Sequence, residues 1–373
     1  MPYLSPIQLS FPRSPENQVM HSLDRYDLDQ IHNLKSQQKQ GFVHIIQPED
    51  NRPNKNIQIL ENWQRALIDH HYVIQKLPEY YFYRVKGKEG QFSGFLGGCS
   101  TADFTLGNIT QHEHTYSNRV AHMAKYLSIV KIQAEPLVLI HEEEYDTSMN
   151  VEAITLYKPY IDFEFDGVWH QLWKLNQKES QILEAWSTAQ LYFHLADGHH
   201  RLASLIHLAK TNKRPYNASC FLIHQSQFLL YSFIWYAKKG LDKMSENLLI
   251  QRIQLQGAIA IDFKKELKKQ YNIVIKIRKC YYGFTKGIEN PPVFIRQKIL
   301  SVIPDFIKNL NYKADTSSEI NSKQWKNFDL VFFMKPLAKN IFFEQAKKGK
   351  YLPAKSTYIL PKLLTGLIVA PLE

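Results

Sequence analysis

The sequence predicts an α+β protein, a mixed sheet with flanking helices. Two hairpin signatures, several stretches of helical apolar spacing and a 13% share of aromatic residues point that way. Strand-like and helix-like segments are mixed without strict alternation, which leaves an α+β or an irregular α/β arrangement.

The elements justify this in order. Residues 23–40 read as a polar helix that Gly41 stops. Phe42 to Ile46 is expected as a short strand, closed by Gln47-Pro48. A second helix, 57–75, puts Ile57, Leu60, Trp63, Leu67 and Ile74 on one face. Tyr80 to Val85 and Phe92 to Leu96 flank KGKEG, and Ile161 to Phe165 and Val168 to Leu175 flank Asp166-Gly167; both pairs read as hairpins. Helices are expected at 119–131 and 177–189, with a strand from Pro136 to His141. Leu191 to Ala196 reads as a strand, Asp197-Gly198 as a turn, and His199 to Ala209 as a helix. Strands at 218–223 and 228–235 follow, then a helix-rich basic section over 245–312. A strand at 330–334, a helix near 338–348 and a closing strand near 363–370 complete the chain.

A length of 373 residues fits two domains or one large one. The expected division is a core over 1–215 and a basic region over 216–373 that completes the same unit. Apolar residues at 44% and charged residues at 22% exclude wholesale disorder. Cys99, Cys220 and Cys280 form no CxxC pair, which excludes a zinc ribbon; far apart and odd in number, they argue against a disulfide framework and point to a reducing cytoplasm. The first residues lack the pattern of a Sec signal. The longest apolar stretch, around Phe228 to Ala237, is about half of what a membrane span needs.

The formal net charge is +11. Residues 264–279 carry seven Lys/Arg against one Glu, and residues 330–373 seven Lys against two Glu. Such basic segments suit an anionic partner: nucleic acid, a nucleotide or a phosphorylated metabolite.

Three segments carry candidate chemistry. In LYFHLADGHHRLASLIH (191–207) a strand runs through Asp197-Gly198 into a helix. The first turn of a helix is an anion site, with free N–H groups and a positive dipole end. Here it carries His199, His200 and Arg201, with Asp197 placed to cap the helix and Gly198 to let the backbone approach a ligand. In QHEHTYSNR (111–119), Glu113 can act as a general base or hold Mg²⁺, and His112 and His114, beside Thr115, can bind phosphate. A transition-metal site built from His112, His114 and one histidine of the 199–200 pair is the other reading. In the last segment, 350–373, Lys355, Ser356, Thr357 and Lys362 combine cations and hydroxyls suited to phosphate. GxxxxGK[ST], GxGxxG and GxSxG are all missing, so Walker, Rossmann and α/β-hydrolase chemistries lack their signatures.

The landmarks GFVHIIQPE (41–49), YYFYRV (80–85), HEHT (112–115), ADGHHRLA (196–203) and LPAKSTYILPKLLTGLIV (352–369) follow one another in an order that resembles the family known as domain of unknown function 1015. That family looks like a branch of the ParB/sulfiredoxin superfamily, which implies a nucleotide-binding core with a C-terminal α/β extension. One branch, the archaeal free-serine kinases, has a similar Asp-Gly-His-x-Arg segment and an upstream catalytic Glu. The resemblance maps Asp197, Gly198, His199, His200 and Arg201 onto phosphate handling and Glu113 onto the upstream carboxylate. Departures exist: the usual APPYDV-like start is reduced to Tyr26-Asp27, and LLYSFIWYAK lacks the usual His-Arg.

The expectation is therefore phosphoryl transfer to a small, serine-like hydroxyl metabolite, with ATP or ADP and Mg²⁺. Glu113, Asp197 and His200 are the expected catalytic residues. His112, His114, Thr115, Gly198, His199, Arg201, Lys355, Ser356 and Thr357 are expected on phosphate or nucleotide, and Glu113 and Asp197 on Mg²⁺. The alternative is a nucleotide-sensing or nucleic-acid-binding regulator that uses 264–279.

Overall fold

Residues 1–48, 54–145, 149–264, 267–285, 287–317 and 319–372 are described by the structure, a computed structural model. Glu49 of the first landmark, and Lys265 and Glu266 of the basic segment, lie outside the described residues. The chain divides into two compact units. The first contains Met1–Gln111, Thr115–Phe228 and Pro361–Glu373; the second contains His112–His114 and Leu229–Leu360. The strand after residue 215 pairs within the first unit's sheet, so that unit runs on to Phe228.

The first unit is built on eight strands: β1 (Tyr81–Gly87), β2 (Gly90–Ser100), β3 (Ile109–Thr110), β4 (Leu137–His141), β5 (Ile161–Phe165), β6 (Val168–Lys174), β7 (Phe193–Asp197) and β8 (Asn217–His224). Their order is β3-β7-β4-β8-β2-β1-β6-β5. The β3–β7 and β4–β8 pairs are parallel and the others antiparallel, a mixed sheet. Both expected hairpins are present. At Asp166-Gly167 both residues have positive φ, 53° and 73°, the type I′ geometry that matches strand twist.

The helices of this unit include α1 (Leu28–Gln37), α2 (Phe42–Ile46), α3 (Lys55–Ile68), α4 (Ser117–Val130), α5 (Gln177–Thr188) and α6 (His199–Asn212). Asp27 starts α1 through a capping box with Gln30. Leu127 of α4, Leu183 and Trp186 of α5, and Leu202, Leu205 and Leu208 of α6 pack with Leu137, Leu139, Phe193 and Leu195 of the sheet in one core.

Three expectations need correction. Phe42 to Ile46 is helical, not a strand. Phe42, Val43, Ile45 and Ile46 are buried and His44 is not, the spacing of a helical turn, and they pack around Trp63 and Tyr72. Tertiary burial overrides the local preference of this apolar run. The section 245–312 carries helices and helical turns but also the strands Ile259–Ile261, Ile273–Ile277 and Cys280–Phe284, and the stretch near 363–370 is no continuous strand: Thr365 bridges Met20, Val369 bridges Ser10, and Ala370–Pro371 pairs with Ile132–Gln133. Gly366 interrupts that stretch at φ 81°, with the Phe42 ring where a β-carbon would stand.

The second unit holds a sheet of β9 (Leu229–Ala237), β10 (Ile259–Ile261), β11 (Ile273–Ile277), β12 (Cys280–Phe284), β13 (Asn311–Asp315), β14 (Leu330–Met334) and β15 (Tyr358–Leu360). The order is β10-β12-β11-β14-β9-β13, with β15 also on β9. Ile273, Ile275 and Ile277 enter one core and Val274 another, the period of two that the lysine-rich surroundings hide. Helices α7 (Lys243–Leu255) and α8 (Lys339–Lys347) belong to this unit. No helix of the described residues is long and apolar enough to cross a membrane.

Candidate functional site

The expected site residues fall into two groups, one in each unit. Thr115, Asp197, Gly198, His199, His200 and Arg201 belong to the first; His112, Glu113, His114, Lys355, Ser356 and Thr357 belong to the second.

In the first group, β7 reaches Asp197, and Gly198 turns the chain into α6. Gly198 has φ 97°, and an added β-carbon would meet Leu137 Cδ2 at 2.6 Å, so conformation and packing both demand glycine. Gly198 itself holds the N-cap position, and no side chain caps the helix there. The expectation that Asp197 caps α6 is therefore corrected: its carboxylate is engaged elsewhere.

Lys362 Nζ donates to Asp197 Oδ1 at 2.5 Å, and Arg201 Nη2 donates to Oδ2 at 3.1 Å. Arg201 Nη1 also donates to the carbonyls of Glu135 and Pro136 at 2.8 and 2.9 Å and pairs with the Glu135 carboxylate at 3.1 Å. Thr365 Oγ1 donates to the same carboxylate. Lys362 and Arg201 thus stand among Asp197 and Glu135, two cations against two carboxylates. Burial alone would raise the Asp197 carboxyl, but Lys362 and Arg201 outweigh it and hold the group well below the usual carboxylate range.

The two imidazoles are arranged differently from two exposed cations. Burial, the largest influence, pushes His199 down to about 4 against the opposing pull of Asp197, so it is neutral at pH 7. His200 Nε2 accepts the Tyr116 backbone N–H at 3.1 Å, a contact that needs an unprotonated nitrogen, and its ring stacks on Tyr116 at 5.8 Å. Neutral imidazoles remove the clash with the helix dipole that two charged ones would create.

In the second group, Glu113 forms a parallel bridge with Leu352. Its Oε1 accepts the Lys355 N–H at 2.9 Å, and its Oε2 accepts the Thr357 hydroxyl at 3.4 Å. Lys355 has φ 63°, uncommon for a side chain that is not glycine, asparagine or aspartate. It is held there by Glu113 on its N–H and by Trp235 Nε1, which donates to its carbonyl at 2.8 Å. Its ammonium lies over the Phe233 ring at 5.3 Å. His112 is fully buried against Phe342, with Nε2 2.9 Å from Thr357 Oγ1. His114 packs on Tyr351, and Ser356 Oγ donates to the Pro353 carbonyl at 2.5 Å.

The metal readings are limited by these contacts. Among the described residues no group of three or more His, Cys, Asp or Glu stands close enough to hold a metal ion. Glu113 belongs to the second unit and Asp197 to the first, and each carboxylate takes donors or cations within its own unit. The basic segment is also partly spent internally. Lys276 is buried and donates to the Phe328 carbonyl at 2.6 Å, Lys268 pairs with Asp315, and Arg278 pairs with Glu246 at 2.9 Å.

Sequence reasoning missed Glu135, Thr365 and Tyr116, and it grouped Lys362 with Lys355, Ser356 and Thr357 as a phosphate cation without linking it to Asp197. Lys362 follows the PAKST run by a few residues and was the legible one; the others depend on long-range folding.

Comparison with known proteins places a mixed α+β chain with this strand–Gly–helix element in a family. The model of a protein family of unknown function, DUF1015, matches residues 12–340, and the chain belongs to that family. No curated protein sequence matches it. Among solved structures, the free serine kinase in complex with AMP is similar over 72% of this chain and 87% of its own, at 13% identity and a TM-score of 0.42. SbnI with C-terminal truncation from Staphylococcus aureus is similar over 74% and 87%, at 11% identity and a TM-score of 0.44. A conserved hypothetical protein from Pyrococcus furiosus is similar over 71% and 89%, at 14% identity and a TM-score of 0.39.

Proposed function

We propose that the chain is a cytoplasmic phosphotransferase that moves a phosphoryl group from a nucleotide to a small hydroxyl-bearing metabolite of serine's kind. One observation carries the reading. At the entrance to α6, two neutral imidazoles and a Gly198 turn stand beside cations that internal carboxylates already balance.

A phosphate arriving there meets backbone N–H groups and the positive end of the helix. Lys362, whose side chain is 27% exposed and pairs with Asp197, is the proposed cation for that phosphate. Arg201 is tied to two carbonyls and two carboxylates and holds Asp197 in place. His199 and His200 orient the transferring group through their ring N–H donors. For Glu113, in the second unit, the proposed role is that of a general base, its carboxylate oriented by the Lys355 N–H and the Thr357 hydroxyl. A divalent ion comes on the phosphates of the nucleotide, since Mg²⁺ keeps few protein ligands at such sites. The strand–Gly–helix element supports a ParB/sulfiredoxin-like core.

A thermal-shift screen against ATP, ADP, CTP, GTP and pyrophosphate, with and without Mg²⁺, tests the binding. A nucleotide-specific rise in Tm, weakened in Lys362→Ala and His200→Ala, supports the reading. No rise with any of them overturns it.

A further inference from the structure

Outside that cluster, the first unit contains a hydroxyl–imidazole–carboxylate chain. Thr110 Oγ1 stands 2.7 Å from His194 Nδ1, and His194 Nε2 stands 2.9 Å from Glu142 Oε1. His194 is almost completely buried, while Thr110 is partly exposed and ends the edge strand β3. An ionised carboxylate only accepts, so the Nε2 facing Glu142 carries the hydrogen. Nδ1 then keeps its lone pair toward Thr110, and the hydroxyl donates to it. The Glu142 backbone is itself held, because His224 Nε2 and Gln225 Nε2 donate to its carbonyl at 3.1 and 2.8 Å. A hydroxyl on a base that a third group orients is the arrangement of an activated nucleophile.

The sheet places this chain on the same face as the phosphate cluster. His194 pairs with Ile140 and Asp197 with Val138, the register shifting between Leu195 and Asp197. Three residues along a regular strand would put the two side chains on opposite faces. The extra residue brings them to one face, because their partners Ile140 and Val138 are two apart. β3 runs parallel to β7, with Thr110 opposite His194, so Thr110 shares that face. With partners two residues apart, the separation along the sheet is about 7 Å at 3.3 Å per residue.

We propose that Thr110 is a phosphoryl acceptor, modified by the terminal phosphate of a nucleoside triphosphate, a step that rests on the nucleotide reading above. Thr110 Oγ1 forms a bond to the γ-phosphorus as the bond from that phosphorus to its bridging oxygen breaks. Nucleoside diphosphate leaves. The hydroxyl proton passes to His194 Nδ1, and the Glu142 carboxylate holds the resulting imidazolium.

The test incubates the full chain with Mg²⁺ and ATP labelled at the γ-phosphate, without an acceptor, and locates the label by peptide mass spectrometry. Binding is followed in parallel by the Tm shift with a non-hydrolysable ATP analogue. The expected result is label on residue 110, kept in Thr110→Ser, lost in Thr110→Val and about 10²-fold slower in His194→Gln. A Tm shift without label at residue 110 overturns the acceptor role and leaves the nucleotide reading standing. Neither shift nor label overturns both. Equal labelling rates in His194→Gln and wild type overturn the relay.

Discussion

Asp197 and Lys362 stand 165 positions apart in the sequence, yet the lysine donates to the carboxylate at 2.5 Å. Substituting Lys362→Met leaves Asp197 with Arg201 alone, and a loss of roughly 1–3 kcal/mol is expected. The figure lies below that for a fully buried pair, because both side chains keep about a quarter of their surface in water. A carboxyl depressed in the folded state stabilises the protein above its unfolded value of about 3.9 and loses that contribution as pH falls toward its folded value. The gap between wild type and variant in urea melts is therefore widest above that pH and closes in strong acid.

Gly198→Ala forces a β-carbon into a left-handed position and against Leu137. A cost of about 1–3 kcal/mol is expected, with loss of any nucleotide-dependent Tm shift, because the α6 entrance must move. A variant with wild-type Tm and intact nucleotide response would show that the turn tolerates a side chain.

His199 gives a pH dependence of its own. Its unfolded value is about 6.5 and its folded value about 4. Between the two, the unfolded chain binds a proton that the folded chain refuses, so stability rises with pH across that window and falls on acidification. The group accounts for about 3 kcal/mol over the full span. His199→Gln should flatten this part of the curve; an unchanged slope would place the titration elsewhere.

Glu113→Gln keeps an oxygen for the Lys355 N–H but removes the negative charge. Phosphoryl transfer should fall by about 10²–10⁴-fold while the nucleotide Tm shift stays near wild type. Undiminished turnover would remove Glu113 from the reaction.

The hairpins were legible because turn chemistry is local: Asp166-Gly167 announces its geometry in two residues. So was the 199–212 helix, whose apolar spacing extends over several turns. The β11–β12 hairpin was hidden, because Lys276, Arg278 and Lys279 read as part of a basic section suited to an anionic partner while the fold buries Lys276 on a backbone carbonyl. At Phe42 to Ile46 five residues are too few for their period to speak. In the candidate site, the ADGHHR segment was visible as a strand–turn–helix. The partners that decide its charge state, Lys362, Glu135 and Tyr116, lie far along the chain, and only folding brings them near.

Synthesis on the ribosome adds a consequence to the division of the chain. The first unit needs Pro361 and the residues after it, yet the whole of Leu229–Leu360 is translated before them. Until then the nascent β7–α6 turn carries Asp197 and Arg201 without Lys362, and the stretch around Gly366 that covers Phe42 has not emerged. Ribosome stalling or premature termination between residues 229 and 360 would leave this part of the first unit incomplete, exposing it to chaperones and proteases in place of substrate.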